Sequence, residues 1–138
     1  MSSYYDVAIG MSLPSFRELW EYEKEFVDEQ GSLLDYMSDF IIRENGTVVL
    51  YWTEIKWNRH PSGERIERFL FNLRKEGKRA YTFVKMGEDL DDIWEYCYCG
   101  EDEIDYIEGF GVRRELYIEE EDGDKHWLNP DKQQLENL

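Results

Sequence analysis

The sequence predicts a single α+β domain, a mostly antiparallel sheet of about five strands carrying two main helices. Three observations lead there. The chain has 138 residues, of which 41% are hydrophobic and 16% aromatic. That is enough apolar side chain to bury one core without disulfides or metals, and far too much for a disordered chain. Asn45-Gly46, the strongest short hairpin signal, lies between the β-rich runs "DFII" and "TVVLYWTEIKW". Finally, "HPSGERIERFLFNLRKEGK" has helical periodicity and is followed by the strand-like "RAYTFVKM", giving a strand–helix–strand unit.

Taken in order, "YYDVAIGM" (Tyr4 to Met11) reads as a first strand. Ser12 can cap a helix whose first turn tolerates Pro14, with Phe16, Leu19, Trp20, Phe26 and Val27 on one face. That helix is expected to run to about Glu29 and to end at Gly31, its outer face carrying Glu18, Glu21, Glu25 and Asp28. A helical turn over 32–38 precedes hairpin strands at about 39–43 and 47–57. In the second of these, Val49, Tyr51, Ile55 and Trp57 share one face, and Val48, Leu50 and Trp52 begin the other. The next helix is capped by Ser62, lined by Ile66, Phe69, Leu70 and Leu73, and closed at Gly77 after a basic last turn. Strands are then expected over Ile93 to Cys99 and Val112 to Glu119, with a turn at Gly100-Glu101-Asp102 between them. The domain is expected to span 1–120, and 121–138 reads as a polar C-terminal tail with Trp127 as its one large anchor.

Charge sets the functional limits. The chain carries 32 acidic and 16 basic residues, a net charge of −16. Self-repulsion of that size costs stability, which suggests that the charge is kept for a basic partner. Nucleic acid and anionic membranes are disfavoured as direct ligands. The start "MSSYYDVAIGM" has no basic segment and no long apolar run, so neither a signal peptide nor a membrane span is expected, and the location reads as cytoplasmic. Cys97 and Cys99, two apart on an extended segment, suit neither a disulfide nor a four-ligand zinc site. They read as buried or semi-buried thiols in a reducing compartment.

The densest acidic stretch is "GEDLDDIWEYCYCGEDEIDYIEGFG". Glu88, Asp89, Asp91, Asp92, Glu95, Glu101, Asp102, Glu103, Asp105 and Glu108 lie there with no lysine or arginine among them. As a calcium loop it fails, because no glycine stands at the sixth position and aromatics occupy ligand positions. No cofactor or metal is implied. Asp39, followed by Glu54-Ile55-Lys56, matches the loose spacing of a metal-dependent nuclease superfamily, in which two carboxylates hold magnesium and the lysine positions water. A strongly acidic protein would repel that substrate, so this remains an alternative. No nucleophile elbow, phosphate-cradling loop or Cys–His pair appears in the sequence, and a non-enzymatic role is expected.

Trp94, Tyr96 and Tyr98 alternate as one face of a strand would, and Ile93, Ile104 and Ile107 offer residues to bury. The carboxylates are therefore expected on a folded sheet and its turns. Same-face strand residues recur every ~6.5–7 Å, within about a factor of two of the ~3.4 Å phosphate rise along a DNA strand. Such an array could occupy a phosphate-binding groove, with Trp94, Tyr96 and Tyr98 as anchors. Sixteen of the 32 carboxylates lie between Glu88 and Asp124, against Arg113 and Arg114 alone.

With "VVLYWTEIKW" and "YTFVKMGEDLDDI" in this order, the chain resembles small acidic proteins of phages and prophages of Gram-positive bacteria. The likeness covers about Val48 to Ile93 and carries over no catalytic residue. It implies a setting in which small acidic proteins, similar in character to anti-CRISPR and other DNA-mimic inhibitors, bind host nucleic-acid machinery. The leading expectation is thus a phage-encoded inhibitor of a basic host nucleic-acid-binding protein, such as a CRISPR effector. A self-assembling phage accessory or structural protein, dimeric and kept soluble by its acidic face, is the rival.

Overall fold

In a computed structural model, which describes residues 2–26, 31–76, 79–98, 110–112 and 115–138, the chain forms the expected α+β domain. The strands of its main sheet are β1 (Tyr5–Ser12), β2 (Asp39–Ile42), β3 (Thr47–Ile55), β4 (Tyr81–Gly87), β5 (Ile93–Tyr98) and β8 (Lys125–Leu128). This six-stranded sheet is antiparallel throughout, in the order β5-β4-β1-β3-β2-β8. A separate two-stranded ribbon pairs β6 (Phe110–Val112) with β7 (Leu116–Ile118). The helices are α1 (Leu13–Lys24), α2 (Pro61–Glu76) and the short α3 (Lys132–Glu136).

Strand β1 occupies a central position, and Val7, Ala8 and Ile9 are fully buried, which is why its sequence is a nearly unbroken apolar run. The main core lies between the sheet and the helices and includes Val7, Ile9, Phe16, Leu19, Leu50 and Phe83. On the opposite face Ala8, Val84, Met86 and Leu116 form a smaller cluster beneath the ribbon. Ser12 caps α1 as expected, its hydroxyl accepting from the Ser15 N–H at 3.2 Å. Asn45-Gly46 does make the β2–β3 hairpin: the Gly46 N–H donates to the Arg43 carbonyl, the Arg43 N–H donates to the Thr47 carbonyl, and Gly46 takes φ +88°. A three-residue turn closed by a left-handed glycine replaces the tighter two-residue form.

Four expectations are corrected. Trp57 does not share a face with Val49 and Tyr51. The β1–β3 register shifts between Tyr5 and Val7, Glu54 sits at φ +50°, and the extra residue turns Trp57 into the main core, 5.0 Å from Trp52 between ring centroids. Ser62 is not the cap of α2. The Nδ1 of His60 accepts from the Ser62 N–H at 3.1 Å, and the Ser62 side chain points inward. Helix α1 ends at Lys24, with Glu25 as its C-cap and Phe26 outside the helix, short of the expected Glu29. The polar stretch 121–138 supplies an edge strand and α3 instead of a tail. Trp127 stacks on Phe40 at 5.5 Å, and Leu135 is buried behind a capping box formed by Asp131 and Gln134.

Between the helices lies a charged contact that the apolar pattern hid. Glu23 is buried and accepts from Arg65 Nε at 2.6 Å, from the Ser32 hydroxyl at 2.8 Å, and from the Ser62 hydroxyl. Ser62 in turn accepts from the Leu33 N–H at 2.9 Å. One carboxylate thus ties α1, the turn at Leu33–Tyr36 and α2 together.

Candidate functional site

The acidic stretch begins at the corner between β4 and β5, where the chain turns around Gly87. A Cβ there would meet the Ser2 side chain and, at 2.8 Å, a carboxylate oxygen of Asp92, so only glycine leaves room for this packing. The turn is closed by the Gly87 N–H donating to the Asp92 carbonyl at 2.7 Å. Two of the acids expected to face a partner are spent inside it. Glu88 Oε1 accepts from the backbone N–H groups of Ser3 and Tyr4, at 2.9 and 2.7 Å, and so pins the N-terminus to the corner. Asp92 Oδ2 accepts from the Tyr5 hydroxyl at 2.8 Å, and its Oδ1 accepts from the Trp94 indole N–H at 2.8 Å.

These contacts set the protonation of both partners. Burial pushes the Tyr5 phenol up to about 12, helped by the Asp92 carboxylate beside it. Burial would also raise Asp92, but the hydrogen bonds from Tyr5, Trp94 and Ser2 outweigh it and leave the carboxyl below its ordinary value. Asp92 is therefore a fixed anion of the scaffold. Asp89, Asp91 and Glu95 are exposed at the corner and on β5.

Strand β5 is an edge strand, and five of its six residues are exposed, although it pairs along its length with the buried β4. Among the described residues no strand pairs with its outer side. The expected face is present: Trp94, Tyr96 and Tyr98 stand opposite Lys85, Phe83 and Tyr81. Trp94 is 49% exposed, yet its ring is held. Besides the Asp92 hydrogen bond, it lies against Tyr96 at 6.4 Å with 26° between planes, and the Lys85 ammonium sits 5.8 Å from its centroid. Lys85 itself is buried, donates to Asn58 Oδ1 at 2.9 Å, pairs with Glu67 at 3.5 Å and lies over Tyr5 at 5.1 Å. An exposed tryptophan with a fixed ring is the arrangement a binding anchor requires.

Sequence reasoning missed Lys85, Asn58 and Tyr5 as the supports of this anchor. One signal was present: Tyr81, Phe83 and Lys85 share a strand face, so a lone lysine falls where an apolar residue is expected.

The remaining candidates scatter. Glu101, Asp102, Glu103 and Asp105 lie outside the described residues, as do Cys99 and the expected turn at 100–102. Cys97 is exposed on β5, not buried or semi-buried as expected. The later acids Glu119, Glu120, Glu121 and Asp122 precede β8 at the opposite edge of the sheet, five strand spacings or ~24 Å from β5. The acids of 88–124 that are described therefore do not form one continuous band. Of the nuclease-like set, Asp39 lies on the β2 side of β3 and faces His126 at 3.2 Å. Lys56 leans to the β1 side over the Tyr4 ring, and the Glu54 N–H donates to Asp6. The fold does not gather those three at one point. Among the described residues, no group of three His, Cys, Asp or Glu side chains is placed to hold a metal ion, and no helix is long and apolar enough to cross a membrane.

No protein-family model, curated protein or solved structure matches the chain.

Proposed function

We propose that the protein is a non-enzymatic binding module that docks the β4–β5 corner and strand β5 on a basic, nucleic-acid-binding protein, blocking the groove that would hold phosphates. The observation that carries this reading is the state of β5. It is exposed on both faces, flanked by exposed carboxylates at Asp89, Asp91 and Glu95, and bears Trp94 locked in place by Asp92 and Lys85. Charge supplies long-range attraction, screened over ~8 Å in physiological salt, and the fixed aromatics supply contact energy at short range. A CRISPR effector is the partner class that the phage-like setting favours. Glu88 and Asp92 act in this reading as supports for the surface and not as phosphate surrogates. The exposed edge also offers pairing to a second copy, but two β5 strands paired about Glu95 would set like charges opposite each other, which disfavours that partner.

The test is capture from a bacterial lysate carrying CRISPR effectors, at two salt concentrations, with bound proteins read by mass spectrometry. The double reversal of Asp91 and Glu95 to lysine spares the contacts made by Glu88 and Asp92 and is expected to abolish capture of a basic nucleic-acid-binding protein. Capture that persists in the reversed protein at moderate salt would refute charge mimicry.

A further inference from the structure

Helix α2 does not cover β5, and the space between them is a groove of about 640 Å³. That volume falls within the ~300–1,000 Å³ of small-molecule sites. Its floor is aromatic: Tyr81 and Phe83 from β4 and Tyr96 from β5, the last two stacked at 6.1 Å with 27° between planes. Its wall is a single stripe of α2 in which Glu64, Glu67, Arg68, Phe71 and Arg74 recur at helical spacing. Phe71, in the middle of that stripe, is 59% exposed, a high value for a phenylalanine beside an open aromatic floor.

The charges of the groove separate it from the rest of the surface. Glu64 is paired with Arg68 at 2.9 Å. Glu67 accepts from the Trp57 indole at 2.9 Å and pairs with Lys85 at 3.5 Å. Both carboxylates are thus matched, whereas Arg74 has no carboxylate partner among the described residues. Its charge reaches the groove: burial raises the Tyr81 phenol, and Arg74 is the strongest influence opposing that rise. In a chain of net charge −16, this groove carries one cation without a carboxylate partner among the described residues.

We propose that this groove binds a small planar aromatic anion, its ring system between Phe71 and the Tyr96–Phe83 floor and its carboxylate, sulfonate or phosphate on the Arg74 guanidinium. The guanidinium fork suits such a group in two parallel hydrogen bonds, and the aromatic walls supply the area that fixes a flat ring. A cationic ligand finds no unmatched carboxylate here. The negative field of the whole protein opposes any anion, so binding depends on the short-range contact with Arg74 and responds sharply to its loss.

The experiment uses the full chain and the probe 8-anilinonaphthalene-1-sulfonate, followed by fluorescence titration with circular dichroism to verify folding. Saturable one-to-one binding is expected, displaced by 1-naphthoate. Arg74→Gln, at an exposed helix position, is expected to weaken it by about tenfold or more, in line with loss of a charge-assisted fork. Phe71→Ala weakens it independently. The uncharged analogue N-phenyl-1-naphthylamine is expected to bind more weakly and to ignore Arg74→Gln. Equal sulfonate binding by wild type and Arg74→Gln, or equal affinity for the charged and uncharged probes, overturns the proposal. Arg74 and Phe71 lie outside the acidic corner, so this outcome is independent of partner capture by Asp89, Asp91 and Glu95.

Discussion

The phenol of Tyr5 donates to Asp92 Oδ2 at 2.8 Å, joining the first residue of β1 to the end of the corner 87 positions away in the chain. Tyr5 is only 2% exposed, and the same hydroxyl accepts from Asn58 Nδ2 at 3.0 Å. An acid that reads in the sequence as a surface charge is therefore the hub on which the N-terminus, the corner and the Trp94 anchor meet.

That link makes stability depend on pH at both ends. Tyr5 has a folded-state value raised to about 12, so its contribution is complete below the ordinary tyrosine value of ~10 and is lost as pH climbs toward 12. Asp92 is depressed, so its contribution is complete above the ordinary carboxylate value of ~3.9 and is lost as pH falls through its lowered folded value. The stability gap between wild type and Tyr5→Phe should be constant from about pH 5 to 9 and shrink above pH ~10. Urea midpoints across that range read it directly. Tyr51 and Tyr81, also raised by burial, are present in both proteins and cancel in the difference. A gap unchanged at pH 11 to 12 would mean that the hydrogen bond is not what Tyr5 contributes.

Neighbouring acids should then behave unequally. Asp92→Ala strands the Tyr5 hydroxyl and frees the Trp94 indole, at a cost of about 1–3 kcal/mol. Asp91→Ala removes an exposed group with no such role and should stay within about 0.5 kcal/mol of wild type. Equal effects in chemical denaturation would place the hub elsewhere.

The Glu23–Arg65 pair is the corresponding device between the helices. Arg65→Met leaves a buried carboxylate with only hydroxyl donors and should cost about 3–5 kcal/mol, while Glu23→Leu combined with Arg65→Met should recover a large part of that loss. A double-mutant cycle by urea unfolding measures the coupling. Additive losses would show that the two residues act separately, despite the 2.6 Å contact.

Where burial alone sets the period, the sequence was readable. The alternation of Val48, Leu50 and Trp52 and the spacing of Ile66, Leu70 and Leu73 placed β3 and α2 correctly, because each needs only one apolar face. Reading failed where one residue changes the phase or where the partner is remote. The bulge at Glu54 flips Trp57 by a single insertion, and no local pattern announces it. Glu23 stands seven residues after Phe16 and four after Leu19, on the buried stripe of α1, but its partners Ser62 and Arg65 come from another helix. Glu88 and Asp92 look solvated because their donors are 84 to 90 residues away, at the N-terminus. The acid–aromatic face of β5 was legible as a strand pattern, while its exposure depends on how far α2 extends across the sheet.

The C-terminal stretch gives the sharpest separation between the polar-tail expectation and the fold. A tail contributes nothing to global stability, so truncating side chains in it would leave the unfolding midpoint unchanged. In the fold, β8 pairs with β2 from Lys125 to Leu128, Trp127 stacks on Phe40 with 13° between planes, and Leu135 is 2% exposed. Leu135→Ala removes a buried branched side chain and is expected to cost about 2–3 kcal/mol, within the range for large-to-small core changes. Trp127→Ala, from a half-buried position, should cost a similar amount and uncover Phe40. Leu128→Ala is the internal control, because that side chain is 70% exposed and should matter by less than about 0.5 kcal/mol. Urea unfolding of the three variants decides the matter: three indistinguishable midpoints would return residues 125–138 to the status of a tail.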